Sequence, residues 1–190
     1  MLAYVFWHWP DSGVDETTYR ESLLSFHQTL ASHPSPGFAR SVVFSIHSAS
    51  WLKTDGPAFE EWYLLQDSAA LDKLNQAAVS GPCEAPHNRV AQQAAGGVAG
   101  LYRLRTGQGN LSDSKVAFWF NKPRGLLYSD LYIGLEPLTS QDGVALWTRQ
   151  MTLGPTNEFC IHTSKPFEPT AGIVGESVAL SAIWSGLKNS

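Results

Sequence analysis

Short runs of apolar and aromatic residues alternate along the chain with segments whose apolar residues recur every three or four positions. Residues 3–9 are apolar or aromatic apart from His8, and Pro10 follows them. This run predicts a short strand that is buried on both faces and ended by proline. Residues 15–32 predict a helix, because their apolar residues form one stripe. The stripe consists of Tyr19, Leu23, Phe26 and Leu30.

The remainder of the first half predicts a hairpin, a second helix and a final strand. Residues 38–52 form a long apolar segment, and a turn separates them from a second strand at about 61–66. Residues 68–78 predict a helix, and residues 86–95 add another helical turn or two. A strand is predicted at 98–104. This β-α-β-β-α-β order is that of a ferredoxin-like unit.

The pattern begins again after a polar segment that is rich in Gly, Ser, Asn and Asp. The predicted elements of the second half are a strand at 115–120, a helix at 128–138, strands at 144–153 and 158–163, and a strand or short helix at 177–184. The second half therefore repeats most of the element order of the first.

Phe6-Trp7 and Phe118-Trp119 stand near the start of the two halves, and each pair is followed by proline and a predicted helix. We therefore predict an α+β fold made of two ferredoxin-like halves, residues 1–106 and 115–190, joined by a linker at 107–114. A single unit of this kind leaves one sheet face bare. Two units can bury those faces against each other, which gains about 25 cal/mol per Å² of apolar area.

The composition favours a folded chain with a large buried area. Hydrophobic residues make up 43% of the 190 residues, aromatic residues 12% and charged residues only 16%. A disordered chain would be rich in charge and poor in aromatic residues. The seven Trp residues also indicate a lined pocket or an interface.

The charge and the cysteines narrow the range of partners and compartments. The formal net charge is −4 and no cluster of Lys or Arg is present, so we expect no nucleic-acid partner. No apolar stretch approaches the roughly 20 residues of a membrane helix, so we expect no membrane partner. The chain begins without a secretion signal, and Cys83 and Cys160 make no disulfide framework. We expect a cytoplasmic protein with reduced thiols, whose edge strands can pair two copies as a homodimer.

The segment from Val116 to Leu126, with its Lys122-Pro123-Arg124-Gly125 turn before a helix that carries aromatic residues, resembles the opening of EthD-like domains. Those domains belong to the dimeric α+β barrel superfamily. The resemblance implies a barrel-like unit with a pocket enclosed between sheet and helices. The superfamily includes cofactor-free monooxygenases, isomerases, cyclases and heme proteins, so the resemblance does not select a reaction.

Common catalytic motifs are missing from the sequence. It contains no phosphate-binding GxxxxGK[ST] loop, no GxGxxG, no HExxH, no GxSxG and no CxxC. A nucleotide enzyme, a hydrolase of the common kinds and a zinc protein are therefore not expected.

Polar residues on predicted strands are the candidates for catalysis. Arg149 shares a strand face with Trp147 and Met151, while Glu158 and His162 share a face of the returning strand. If both faces point into a pocket, Arg149, Glu158 and His162 converge as acid and base groups. The alternative is a structural cross-strand ion pair with His162 at an edge.

His47 is a fourth catalytic candidate, because it lies on the predicted strand 38–52 on the same face as Val43. It could act as a base or as the axial ligand of a heme. The alternative is a core or interface histidine. We expect no cofactor otherwise. The candidates for substrate binding are residues beside these groups or at a strand end, namely His8, Trp51, Trp147, Met151 and Cys160.

Three hypotheses on function follow. The first is an enzyme that performs acid/base chemistry on a small hydrophobic or aromatic substrate in an aromatic-lined pocket, as a lyase, an isomerase or a cofactor-independent oxygenase. The second is a heme-binding protein. The third is a non-catalytic protein that binds a small molecule.

Overall fold

The computed structural model describes residues 1–152, 154, 156–165, 167–169 and 172–186. Over these residues, the chain forms nine strands, four α-helices and one 3-10 turn. The elements are β1 (Leu2–Pro10), α1 (Glu16–Ser32), β2 (Phe38–Ile46), β3 (Ala58–Leu65), α2 (Ser68–Ala78), the 3-10 turn Gly81–Cys83, α3 (Glu84–Gln93), β4 (Ala94–Gly107), β5 (Val116–Phe120), α4 (Tyr128–Thr139), β6 (Ala145–Thr152), β7 (Phe159–Thr163), β8 (Gly175–Ala179) and β9 (Ser181–Ser185).

Carboxylate caps begin the first two helices. The Asp15 side chain accepts a hydrogen bond from the Thr18 amide at 3.0 Å, and Asp67 accepts one from the Ala70 amide at 3.0 Å. These bonds satisfy amides that have no partner within a helix. The predicted helix at 68–78 is confirmed with its bounds, because the cap and the apolar stripe mark it together.

All strand pairs are antiparallel, and the sheet order is β8-β5-β7-β6-β4-β1-β3-β2-β9. Within it, β4-β1-β3-β2 and β8-β5-β7-β6 repeat one order. The long strand β4 pairs with both β1 and β6. On the opposite side, β8 pairs with β5 and β9 pairs with β2. The single residue Leu180 separates β8 from β9. The sheet thus closes into a barrel, and the predicted α+β fold of two ferredoxin-like repeats is confirmed.

Several predicted element bounds differ from the structure. Strand β2 ends at Ile46 rather than at residue 52, because the chain turns after it and returns Trp51 to the barrel interior. Residues 177–184 belong to the two strands β8 and β9 rather than to a helix, since β5 and β2 would otherwise each have an unpaired edge. Between β7 and β8, the described residues form no helix. Leu153 of the predicted strand 144–153 lies outside the described residues.

The closed sheet buries an aromatic interior and carries helices on its outer face. Four of the interior side chains are fully buried Trp, and Tyr102 and Trp51 pack among them. Their rings meet edge-on or tilted, for example Trp7 and Trp119 with centroids 5.2 Å apart. Helices α1–α3 cover the first half, and α4 covers the second. Among the described helices, none is long and apolar enough to cross a membrane.

Candidate functional site

The alternation of side chains along β1 and β3 puts two different polar groups on opposite sides of the sheet. On β1, Trp7 points into the barrel and His8 points toward the helices. On β3, Glu60 points inward and Glu61 outward, as their hydrogen bonds show. Each face of the first-half sheet therefore holds one buried carboxylate.

The outward carboxylate is the centre of a hydrogen-bonded cluster. His8 Nε2 lies 2.7 Å from Glu61 Oε1, and His8 Nδ1 lies 2.5 Å from the hydroxyl oxygen of Tyr19 on α1. The Tyr63 hydroxyl donates to Glu61 Oε2. All four residues are buried, so each group depends on the others for its hydrogen bonds. This Tyr19-His8-Glu61-Tyr63 set is called the outer cluster below.

A second histidine approaches the same carboxylate from α1. His27 Nε2 lies 3.5 Å from Glu61 Oε1, and its ring is stacked on Tyr63 with centroids 5.4 Å apart. Its side chain is fully buried. Glu61 thus has a histidine on each side.

The outer cluster has a defined protonation pattern. Burial raises the pKa of Glu61, but the two histidines outweigh it, so the pKa lies well below its usual range. Burial, and then the negative charge of Glu61, raise the pKa of Tyr63, Tyr19 and Tyr4. At neutral pH, the site therefore combines one ionised carboxylate with three protonated phenols.

A cavity of about 660 Å³ lies over the outer cluster, between the sheet and the helices. Rings on β1 stack along the sheet beneath it: Phe6 lies 6.5 Å from Tyr4 and 5.2 Å from His8, centroid to centroid. These rings are called the ring ladder below. The polar residues that line the cavity are Tyr4, Tyr19, Glu61, Tyr63, Asn75 and His87. Small residues give it room, namely Ala78, Ala91, Ala94, Ala95 and Gly96.

The second half has different residues at the positions that correspond to these polar groups. Strand pairing sets Trp7 opposite Glu60 in the first half and Trp119 opposite Cys160 in the second. The same pairing makes Phe120 the counterpart of His8, and Ile161 the counterpart of Glu61. Both are core residues that pack under α4. The candidate site therefore belongs to the first half.

Four predicted residues, His162, Trp147, Cys160 and Trp51, lie inside the barrel, away from this cavity. His162 and Trp147 are fully buried there, and Cys160 Sγ lies 3.6 Å from His162 Nδ1. Glu60 accepts hydrogen bonds from the indole nitrogens of Trp7 and Trp62, both at 2.7 Å. Burial, and then Glu60, raise the pKa of Cys160, which therefore stays a thiol rather than a nucleophilic thiolate.

Arg149, Glu158 and Met151 do not converge with His162. The backbones of Arg149 and Glu158 are joined by a 2.8 Å hydrogen bond, but the Arg149 side chain donates to the Thr156 carbonyl and Glu158 accepts from Tyr128. A register shift between β4 and β6 skips Gln150 and breaks the expected alternation of faces. Met151 is 62% exposed.

His47 and Trp51 follow the end of β2 and lie apart from each other. His47 is exposed beside a cavity of about 410 Å³, which Glu16 and Asp55 also line. A heme needs an apolar pocket around its axial ligand, and two carboxylates would oppose its propionates. These residues do not fit a heme. Trp51 packs edge-on against Trp7 and Trp119 in the barrel.

Of the predicted site residues, only His8 belongs to the outer cluster. Sequence reasoning missed Glu61, Tyr19, Tyr63 and His27. One signal was present: β3 reads Ala-Phe-Glu-Glu-Trp-Tyr-Leu-Leu, and all eight residues are buried. Two adjacent carboxylates in such a strand require partners on both faces of the sheet.

Comparison with known proteins shows which solved structures have a similar fold. No protein-family model matches the chain, and no curated protein does. Among solved structures, a "putative monooxygenase" of Fusobacterium nucleatum subsp. nucleatum is similar, with a TM-score of 0.65 and 11% identity over 97% of this chain and 93% of that one. A "putative monooxygenase" of Lactobacillus acidophilus has a TM-score of 0.61 and 10% identity, over 97% and 95%.

An "anthrone oxidase-like protein" is a third similar structure, with a TM-score of 0.57 and 11% identity over 100% of this chain and 96% of that one. At such low identity, these likenesses show a shared α+β barrel fold. The match covers both halves and not a single repeat, since nearly all of each chain is aligned.

Proposed function

We propose that the protein is an oxygenase-type enzyme that oxidises a small aromatic carbon acid in the first-half cavity, with the outer cluster as its acid/base group. The observation that carries this proposal is the buried Tyr19-His8-Glu61 hydrogen-bond chain at the edge of an aromatic-lined cavity. The names of the similar structures, two monooxygenases and an anthrone oxidase-like protein, support the same class of reaction. The resemblance to EthD-like domains stays a prediction.

The cavity suits a flat, mostly apolar molecule. Its volume of about 660 Å³ falls within the range of roughly 300–1,000 Å³ of ligand pockets. Tyr4 and Phe6 of the ring ladder line the cavity and offer aromatic contacts to a planar ring. The polar groups are few and concentrated near Glu61, so a single oxygen function of the substrate would be oriented there.

His8 is the proton acceptor in this proposal. Both of its ring nitrogens are occupied, so a substrate proton reaches it through the Tyr19 hydroxyl, which passes its own proton to Nδ1. The raised pKa of Tyr19 favours this transfer over a lasting phenolate. The Glu61 carboxylate then stabilises the positive charge on His8, as in a Ser-His-Asp triad. Tyr4, which also stays protonated, can donate to the substrate oxygen.

The reaction balances with dioxygen as the only oxidant. Loss of a C–H proton from a methylene group next to aromatic rings gives a carbanion. A ketone group of the substrate, conjugated with those rings, stabilises the carbanion as an enolate. The carbanion gives one electron to O₂, and the two radicals combine to a hydroperoxide after return of the proton. Removal of the remaining C–H proton then forms the C=O bond and breaks the O–O bond, and the hydroxide that leaves takes up a proton and becomes water. The sum is R₂CH₂ + O₂ → R₂CO + H₂O.

Oxygen consumption with anthrone, a tricyclic aromatic ketone with such a methylene group, tests the proposal. We expect quinone formation above the rate of spontaneous oxidation, with O₂ and anthrone consumed in equal amounts. Tyr19→Phe and Glu61→Gln should lower kcat by roughly 10²- to 10⁴-fold, which is the usual contribution of general acid–base catalysis.

Glu158→Gln is the matched control. Glu158 also accepts a hydrogen bond from a tyrosine, Tyr128, but it lies in the second half, away from the cavity. We expect Glu158→Gln to keep the wild-type rate. Anthrone that binds without turnover would instead support a binding protein. Equal losses in Glu61→Gln and Glu158→Gln would contradict the assignment of the site.

A further inference from the structure

Trp184 on the closing strand β9 is connected to the outer cluster through two hydrogen bonds and one longer contact between oppositely polarised groups. Its indole Nε1 donates to Ser41 Oγ at 3.1 Å, and Ser41 Oγ lies 2.8 Å from His27 Nδ1. His27 Nε2 then faces Glu61 Oε1 at 3.5 Å. Ser41 and His27 are both buried. A residue of the second half thus reaches the carboxylate of the first-half site in three steps.

The direction of each hydrogen bond in this chain follows from its end groups. An indole N–H can only donate, so Ser41 Oγ accepts from Trp184 and keeps its own proton for His27 Nδ1. His27 Nε2 then carries the ring proton toward the Glu61 carboxylate. In the other tautomer, the bare lone pair of Nε2 would face an ionised oxygen in a buried site, which is repulsive.

Ring packing holds His27 in the same orientation. Its ring lies between Tyr63 and Trp184, with centroid distances of 5.4 and 6.3 Å and interplanar angles of 24° and 38°. Strand pairing places Trp184 opposite Val43 on β2, so Trp184 takes this position only when the barrel is closed.

We propose that Trp184 is a positioning residue: by fixing the Ser41 hydroxyl, it selects the Nε2–H tautomer of His27 and so holds the Glu61 carboxylate in place for catalysis. The closure of the barrel by the second half then completes the site of the first. Its effect on turnover rests on the proposed function, but its effect on the tautomer does not.

Nitrogen-15 NMR of the imidazole rings tests the tautomer directly. In the wild type, we expect His27 to show a protonated Nε2 and an unprotonated Nδ1 in its neutral form. Trp184→Phe keeps a ring on His27 but deletes the N–H, and Ser41→Ala deletes the hydroxyl. Both should lower the fraction of the Nε2–H tautomer below that of the wild type, whereas Ser41→Thr, which keeps a hydroxyl, should retain the wild-type signal.

Ser45→Ala is the control, because Ser45 lies on the same strand as Ser41 but lines the other cavity, beside His47. It should leave the His27 signal unchanged, and circular dichroism should show that every variant is folded. A wild-type tautomer in both Trp184→Phe and Ser41→Ala would overturn the proposal, whatever the enzyme's activity.

Turnover gives the second readout. Loss of one hydrogen bond of the chain should lower kcat by roughly two- to tenfold. KM should hardly change, because Trp184 does not line the cavity. A change in KM alone would mean that Trp184 affects the shape of the cavity rather than the position of the Glu61 carboxylate. If the wild type does not oxidise anthrone, the proposed function is wrong. The tautomer measurement then still decides whether Trp184 positions His27.

Discussion

Two consecutive glutamates, Glu60 and Glu61, are buried on opposite faces of β3, and each needs partners that offset the loss of water. Glu60 receives two indole N–H groups, from Trp7 and Trp62. Glu61 receives the Tyr63 hydroxyl and lies between two histidines. His162 Nε2 also lies 3.7 Å from Glu60 Oε1, so both carboxylates have a histidine nearby, but Glu61 lines the first-half cavity and Glu60 does not. This difference explains why the outer face is suited to acid/base chemistry.

The lowered pKa of Glu61 predicts how stability depends on pH. A carboxyl whose pKa is lower in the folded than in the unfolded protein stabilises the fold above its ordinary pKa of 4.5, and this contribution is lost as the pH falls below that value. We expect Glu61→Gln to cost about 3 kcal/mol near neutral pH. The difference from the wild type should shrink below pH 4.5, as measured by urea unfolding. A difference that grows on acidification would contradict a lowered pKa.

Of the residues that the sequence predicts for a site, His8 lies in the outer cluster, whereas the pattern did not indicate Glu61, Tyr19 or Tyr63. His8 was predicted as a substrate-binding residue because it ends an apolar strand. Strand alternation also grouped His162 with Cys160 correctly, since both point inward. Which face of the sheet lies beside a cavity depends, however, on where the helices pack. Alternation alone cannot show that. For this reason, the expected convergence of Arg149 and Glu158 with His162 does not occur.

The element that shapes the cavity floor is β1, whose ring ladder lies against the glycine-rich start of β4. Gly97 is next to Phe6: a Cβ added there would lie 2.5 Å from the Phe6 ring and 3.0 Å from the Trp7 carbonyl oxygen. The absence of a side chain at Gly97 therefore allows Phe6 to lie flat on the sheet.

Gly97→Ala should push the Phe6 ring toward the cavity. We expect a loss of about 1–3 kcal/mol in stability from overpacking and weaker binding of aromatic ligands, measured by calorimetry. Gly134→Ala in α4 is the matched control, because nothing lies within 4 Å of an added Cβ. That change should stabilise the protein by about 0.5–1 kcal/mol and leave binding intact. Unchanged binding in Gly97→Ala would show that the ring ladder is not the cavity floor.

At the element scale, the sequence predicted the order of strands and helices well. Continuous apolar runs and helical stripes depend on local chemistry, so α2 was predicted with its bounds, and β1 and α1 to within one residue at each end. Strand β2 was predicted too long because Ala49 and Trp51 are apolar for a different reason: they turn back into the barrel interior. The last strand was left open between strand and helix, since its partners β5 and β2 lie far away along the chain.

The whole molecule is held together by an interior that both halves share. The Trp119 ring, from the second half, contacts Trp7, Trp51 and Trp62 of the first, at centroid distances of 5.2, 5.5 and 6.1 Å. Strand pairs β4-β6 and β2-β9 join the halves at both edges. Neither half keeps this core without the other.

Trp119→Ala should therefore destabilise both halves together. We expect a loss of about 3–5 kcal/mol and one cooperative transition, followed in parallel by near-UV circular dichroism and by amide exchange in each half. Two separate transitions, with the first half unaffected, would show that the halves are independent domains.

The proposed function requires that an aromatic substrate binds in the first-half cavity with its oxygen near Glu61. A crystal structure of the protein with anthrone, grown without oxygen, tests it most directly. We expect a planar ligand against the ring ladder, with its oxygen within hydrogen-bond distance of the hydroxyl of Tyr4, Tyr19 or Tyr63. A ligand bound elsewhere, or a cavity that excludes anthrone, would contradict it.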